Sequence, residues 1–253
     1  MDGQQQDAGR LYTRCYCEEN VYNLVRFVKE LPQTSSAPDF TDPYAKEIVT
    51  FFRANQLTLS DVHVVFVSSD LGWVDIAKQK AGQPPRGAVI WDYHVFAIAV
   101  AENRKVVFDF DSTLGFPADL PTYIEESFPH TRLPCSATRK FRVVSGEQYL
   151  AFFSSDRRHM KKTVDGMSTW SATPPTHALI RSHRSELIHA QEQEYDREWS
   201  KCWGPAHTAP VDSSHTLPLY IRMPPDGAEN GGICSSNPLG EVTDLEQLIK
   251  FFE

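Results

Sequence analysis

Apolar residues recur at three- and four-residue steps through Val21, Leu24, Val25, Val28 and Leu31. This spacing predicts an amphipathic helix beginning at Glu18. Glu18 and Glu19 fall in its first turn, where the helix dipole favours acids, and Pro32 ends it. After a Ser/Pro/Asp loop at 33–43, "YAKEIVTFFRAN" predicts a second, shorter helix. Then the period changes. "VHVVFVSS" at 62–69 predicts a strand, "GAVIWDYHVFAIAVA" at 87–101 a long strand, and "KVVFDFDS" at 105–112 the strand returning after "ENR". "PTYIEESF" predicts a short helix, "FRVVS" at 141–145 a strand, and "GEQYLAFFSS" another helix. Residues 184–200 predict a polar, charge-rich helix. Residues 204–237, rich in Pro, Gly, Ser and His, predict an irregular insertion. "EVTDLEQLIKFF" closes the chain as an amphipathic helix, with Thr243 as N-cap and Glu246 three residues on. Helices interleaved with antiparallel strands point to an α+β fold, an antiparallel sheet flanked by helices.

Of 253 residues, 41% are hydrophobic, enough for one good core. We expect a disordered tail at 1–10 and a single catalytic domain over 11–253, interrupted by an insertion around 184–237. The formal charge of −8 comes with no basic stripe, which argues against nucleic acid or an anionic membrane as partner. No apolar run reaches transmembrane length, and "MDGQQQDAGR" lacks the apolar core of a signal peptide. A reducing, cytoplasmic setting is therefore expected, and a monomer. The five cysteines, Cys15, Cys17, Cys135, Cys202 and Cys234, form no disulfide-scaffold spacing.

Candidate chemistry centres on "RCYCEEN". Cys15 and Cys17 have one residue between them and no second Cys/His pair at finger-like spacing, which argues against a structural zinc. No metal or cofactor is expected. Cys17 immediately precedes the predicted helix, where the positive dipole end would lower a thiol pKa. A cysteine nucleophile needs a base, and the base an orienter. His94 lies inside the most apolar strand, where an imidazole needs a partner. If Glu102 and Asn103 make a two-residue hairpin turn, His94 faces Asp111 and lies diagonal to Asp109, within side-chain reach. The pattern alone does not choose between the two acids. Cys, then His and Asp on successive strands, is the chain order of papain-like and transglutaminase-like folds. A cysteine peptidase, an acyl transferase or a non-catalytic binder on that fold would share it.

"YTRCYCEENVYNLV", "GAVIWDYHV", "VVFDFDSTLGFP", "RKFRVV" and "SDRRHMK" together resemble the motif set of the protein N-terminal glutamine amidohydrolases. The resemblance runs from Tyr12 to Trp170 and resumes near "LGEVTDLEQLIKFF". It implies a papain/transglutaminase-like three-layer arrangement and a triad with Cys17 as nucleophile, His94 as base and Asp109 as orienter, leaving Cys15 a structural thiol. It implies hydrolysis of the side-chain amide of an N-terminal glutamine to glutamate and ammonia, feeding the N-end rule pathway. The implied partners are the N-terminal Gln of protein or peptide substrates and other N-end rule components, in the cytoplasm and also the nucleus. Reading a chain terminus requires an acid for the α-ammonium. Glu18, Asp92 and Asp111 are the candidates, with Trp91 and Tyr93 as pocket walls.

Overall fold

The computed structural model describes residues 10–31, 41–84, 87–131, 133–189, 210–223 and 237–253. Helix α1 (Cys17–Glu30) buries Val21, Leu24, Val25 and Val28, the face its spacing predicts, and begins one residue earlier than Glu18. Helix α2 (Pro43–Ala54) is capped by Asp42, whose side chain accepts the N–H of Ala45, with Pro43 in the first turn. The strands follow: β1 (Val62–Ser69), β2 (Val74–Ile76), β3 (Val89–Trp91), β4 (His94–Ala101), β5 (Arg104–Phe108) and β6 (Ala118–Asp119). Helices α3 (Leu120–Ser127) and α4 (Pro134–Ala137) lead to β7 (Arg139–Ser145) and α5 (Gly146–Phe152). A hairpin of β8 (Lys161–Val164) and β9 (Met167–Trp170) precedes α6 (Ser185–His189) and α7 (Leu217–Ile221). Strand β10 (Glu241–Thr243) and α8 (Leu245–Phe251) close the chain.

Six strands form one sheet in the order β10-β7-β1-β4-β5-β6, with every neighbouring pair antiparallel. Alternate side chains of β1 and β4 feed two cores. Val64, Phe66, Val95 and Ala97 pack with α1, α2, α5 and α7. Val65, Val67, Phe96 and Ile98 pack with α3 and α8. The sheet is therefore buried on both faces, which explains its near-continuous apolar runs. The α+β reading with helices flanking an antiparallel sheet holds. No helix among the described residues is long and apolar enough to cross a membrane.

Four expectations need correcting. The long strand over 87–101 is two strands: β3 pairs with β2, and β4 belongs to the main sheet. At the break, Ser68 Oγ donates to the Asp92 carbonyl at 2.7 Å and Asp92 Oδ1 accepts the Tyr93 N–H at 3.1 Å. Side chains there serve the backbone in place of a ladder. The returning strand stops at Phe108, so Asp109 and Asp111 share a turn, in which Asp111 N–H donates to Asp109 Oδ1 at 2.9 Å. Within the predicted insertion, α7 is wholly buried, with Leu217, Tyr220 and Ile221 at 0% exposure. The Arg142 guanidinium donates to the carbonyls of Tyr220, Arg222 and Leu239 and ties that segment to β7. Finally, Asp244 caps α8, with Gln247 completing the capping box; the Thr243 hydroxyl is spent on Phe141 O instead. Of the helix predicted at 184–200, Ser185–His189 is helical and 190–200 lies outside the described residues. So do most of the 1–10 tail, Cys202 and Cys234.

Candidate active site

The chain reaches Cys17 through a tight reversal. Cys15 has φ of 67°, a left-handed conformation that costs a non-glycine residue about 1–2 kcal/mol. Asn20, one turn into α1, holds this reversal: its Oδ1 accepts the Thr13 N–H at 2.7 Å and its Nδ2 donates to Thr13 O at 2.9 Å. Tyr16 is fully buried and its hydroxyl donates to Ala172 O at 3.1 Å. Cys17, a half-buried residue, thus sits at the mouth of α1, and the backbone N–H of Val95, the residue after His94, points at its sulfur.

His94 and Asp109 are both buried, and His94 Nε2 and Asp109 Oδ1 are hydrogen-bonded at 2.9 Å. The β4–β5 register pairs Ala101 with Arg104, so Glu102 and Asn103 are the turn and His94 lies diagonal to Asp109. Asp109 Oδ2 accepts two further bonds, from the Tyr123 hydroxyl at 2.9 Å and Gln79 Nε2 at 3.2 Å. Burial alone would raise this carboxyl, but His94, the Asp111 N–H and the Tyr123 hydroxyl outweigh it and hold Asp109 below the usual carboxylate range. Burial likewise works against a charged imidazole, yet Asp109, then Asp111 and Glu18, hold the His94 proton more tightly than usual.

The thiol departs from the expectation. Burial, then the carboxylates of Glu18 and Asp111, push Cys17 well above the usual thiol range, and the Val95 N–H only partly opposes them. A helix N-terminus is worth less than desolvation beside several acids. Glu18 is fully buried beneath the sulfur, 3.7 Å from Cys17 Sγ. It accepts the Tyr93 hydroxyl at 2.9 Å and faces His159 Nε2 at 3.4 Å. Burial would raise its carboxyl, but His159 and Tyr93 bring it below the usual value. Asp92 and Asp111 are partly exposed, and burial raises both. Asp111 Oδ1 accepts the Tyr12 hydroxyl at 2.6 Å. Trp91 packs against His94 with ring centroids 5.0 Å apart.

The structure links the residues singled out in sequence in two overlapping groups: His94 with Asp109, Asp111 and Trp91, and Cys17 with Glu18, Asp92 and Asp111, Tyr93 being bonded to Glu18. A metal could find donors only at His94, Asp109 and Asp111, whose ligand atoms lie within 4.8 Å of one another among the described residues. Among these, His94 Nε2 and Asp109 Oδ1 already bond to each other, and Asp111 Oδ1 already accepts from Tyr12.

With this geometry in hand, the comparisons are specific. A family model described as N-terminal glutamine amidase matches residues 12–252. The chain belongs to the N-terminal glutamine amidase family. It is 31% identical over 202 residues to the protein N-terminal glutamine amidohydrolase of Bos taurus, covering 79% of this chain and 84% of that one. The Homo sapiens protein of the same name is 32% identical over 179 residues, covering 70% and 74%. That of Drosophila ananassae is 38% identical over 174 residues, covering 68% and 72%.

The candidate site also contains residues that the sequence pattern does not single out. Gln79 and Tyr123 complete the shell of Asp109, and their side chains reach it from 30 and 14 residues away. His159, in the "SDRRHMK" motif, meets Glu18. Arg157, also in that motif, forms a two-pronged pair with buried Glu19, with its Nη2 2.8 Å from Oε2. The available signal was a charged motif followed by no apolar period.

Proposed function

We propose that this chain hydrolyses the side-chain amide of an N-terminal glutamine, leaving N-terminal glutamate and free ammonia, with Cys17 as nucleophile. The observation that carries this reading is the buried His94–Asp109 pair, with the N–H of Val95, the residue after His94, directed at the sulfur of a cysteine that starts a helix. Family membership supports it, as does the activity named for the relatives.

In this account the resting thiol is neutral, because burial and the surrounding acids disfavour a thiolate. Asp109 holds His94 Nε2, so Nδ1 is the nitrogen left to take the Cys17 proton, and Asp109 makes the ring a stronger base. A substrate α-ammonium entering among Asp92, Asp111 and Glu18 would offset the negative field on the sulfur and help it ionise. The sulfur attacks the amide carbon, and backbone N–H groups at the start of α1 receive the developing oxyanion. His94 returns its proton to the departing ammonia. Neutral His94 then activates water to cleave the Cys17 thioester. Glu18, already bonded to Tyr93 and His159, better fits holding the pocket's charge than direct contact with substrate. The partly exposed Asp92 and Asp111 better fit reading the ammonium, with Trp91 and Tyr93 as walls.

The layers of helix, sheet and helix agree with a papain/transglutaminase-like arrangement, and we read residues 11–253 as one catalytic domain. The setting we infer is cytoplasmic and nuclear, upstream of N-end rule degradation, with the enzyme acting as a monomer on protein or peptide substrates. Mass spectrometry on paired peptides beginning with Gln and Asn tests this. Conversion of Gln alone, with a shift of about 1 Da and an intact chain, is expected. Chain fragments or cross-links would replace this reading with a peptidase or transglutaminase one.

A further inference from the structure

Cys17 and Glu18 are neighbours in the chain, and their side chains also meet. The Cys17 thiol donates to Glu18 Oε2, with the sulfur 3.7 Å from the oxygen. Glu18 is fully buried, and the same oxygen accepts the Tyr93 hydroxyl at 2.9 Å. Its other oxygen, Oε1, makes no hydrogen bond among the described residues and faces His159 Nε2 at 3.4 Å. Burial works against a charge on Glu18, but His159 and then Tyr93 overcome it, so the carboxylate is the resting form. A carboxylate only accepts, so the thiol that bonds to it keeps its proton.

The side-chain charges that weigh most on the sulfur share one sign. After burial come Glu18 and Asp111, then the Val95 N–H in opposition, then Asp92. Cations answer the acids instead: Lys80 acts on Asp111, and His159 acts on Glu18 and Asp92. In the glutamine-hydrolysis reading, the substrate's own α-ammonium brings a positive charge among these acids.

We propose that Glu18 is a positioning residue that holds the Cys17 proton at rest and keeps the thiol unreactive until the α-ammonium of a substrate arrives. The proposal rests on that reading and adds a resting lock to it. On arrival the ammonium offsets the Glu18 charge. The S–H bond of Cys17 breaks, its proton passes to His94 Nδ1, and the electron pair stays on sulfur for attack on the amide carbon. Glu18 takes up no proton and touches no reacting carbon. The lock spares the enzyme a standing thiolate, the form that oxidants and electrophiles attack between turnovers.

The test measures alkylation of Cys17 by iodoacetamide at neutral pH, located by mass spectrometry with fragment ions that separate it from Cys15. Glu18→Gln keeps the shape and removes the charge. A charge at this range alters the thiolate fraction about tenfold or more, while a less basic thiolate is a weaker nucleophile, so we expect alkylation about fivefold faster than in wild type. Buried Cys135 should stay unlabelled in both proteins; loosened packing alone would label it too. The second arm compares kcat/KM, by ammonia release, for a Gln-initiated peptide and for the same peptide without its α-amino group. The wild-type preference for the free amine should shrink about fivefold in Glu18→Gln, because the thiol there ionises without help. Glu18→Met, similar in length and uncharged, gives the same two readings should Glu18→Gln fail to fold. Cys17 alkylated no faster in a folded variant, or an undiminished preference for the free amine, would overturn the lock while glutamine hydrolysis stands. No ammonia from either peptide with wild type would instead bring down the hydrolysis reading, and this proposal with it.

Discussion

Two clusters in this protein each hold a cysteine near an aspartate that is answered by a nitrogen donor. In one, the Cys17 sulfur faces the N–H of Val95, the residue after His94, and His94 is bonded to Asp109. In the other, the buried Cys135 lies with its Sγ 3.4 Å from Asp75 Oδ1, and Arg139 Nη2 donates to that same oxygen at 2.8 Å. Thr131 donates to Asp75 Oδ2, and Arg139 also reaches the carbonyls of Phe128 and Pro129. Both aspartates lie below the usual carboxylate range for the same reason: burial would raise them, and donors with a cation overcome it. Both thiols are raised, Cys135 to about 11, by burial and then Asp75. The difference is the base. A guanidinium cannot give up its proton, so the Asp75 cluster can only hold the chain. An imidazole can, and Cys17 is partly open to solvent where Cys135 is closed. Composition is shared between the clusters; a movable proton and access are not.

Exchanging the base breaks this comparison most sharply. His94→Arg keeps a cation beside Asp109 and removes the transferable proton, so kcat/KM for a Gln-initiated peptide should fall at least about 10⁴-fold. Residual activity near wild type would mean that charge alone suffices. Asp109→Asn should cost about 10³-fold by loss of ring orientation and basicity. Its pH profile sharpens the point. His94 is raised above its ordinary value near 6.5, so the acid limb of wild-type kcat/KM should lie above about 6.5. Activity is lost as pH falls through that value. Without the Asp109 charge the limb should move to lower pH; an unmoved limb would assign it to another group.

Arg139→Ala acts on the other cluster. It strips the cation from a buried carboxylate, and chemical denaturation should register a loss of about 3 kcal/mol. The folded fraction should keep its turnover per molecule. The smallest effect is Cys135→Ala, a small buried truncation that should cost about 1 kcal/mol and leave kcat unchanged. A large kcat loss in either variant would erase the contrast between the clusters.

The parts of this site legible in the sequence are those set by short-range period. Helix α1, strand β1 and the β4–β5 hairpin follow from apolar spacing and the Glu102–Asn103 turn, and they bring Cys17, His94 and the two acids near one another. What the spacing could not supply was long-range. The choice of Asp109 over Asp111 depends on the end of β5 at Phe108 and on Tyr123 and Gln79 arriving from elsewhere. Glu18 and Glu19 read as acids suited to a helix start; in the structure both are buried and answered by His159 and Arg157. Segment α7 was hidden because five apolar-rich residues stood within a Pro/Gly/Ser-rich stretch too short to express a period.

The most direct test of the account is ammonia release from a Gln-initiated peptide by Cys17→Ala, run beside Cys135→Ala with folding of each verified by circular dichroism. The account predicts no release above background for the first and wild-type turnover per folded molecule for the second. Full activity in Cys17→Ala would contradict it.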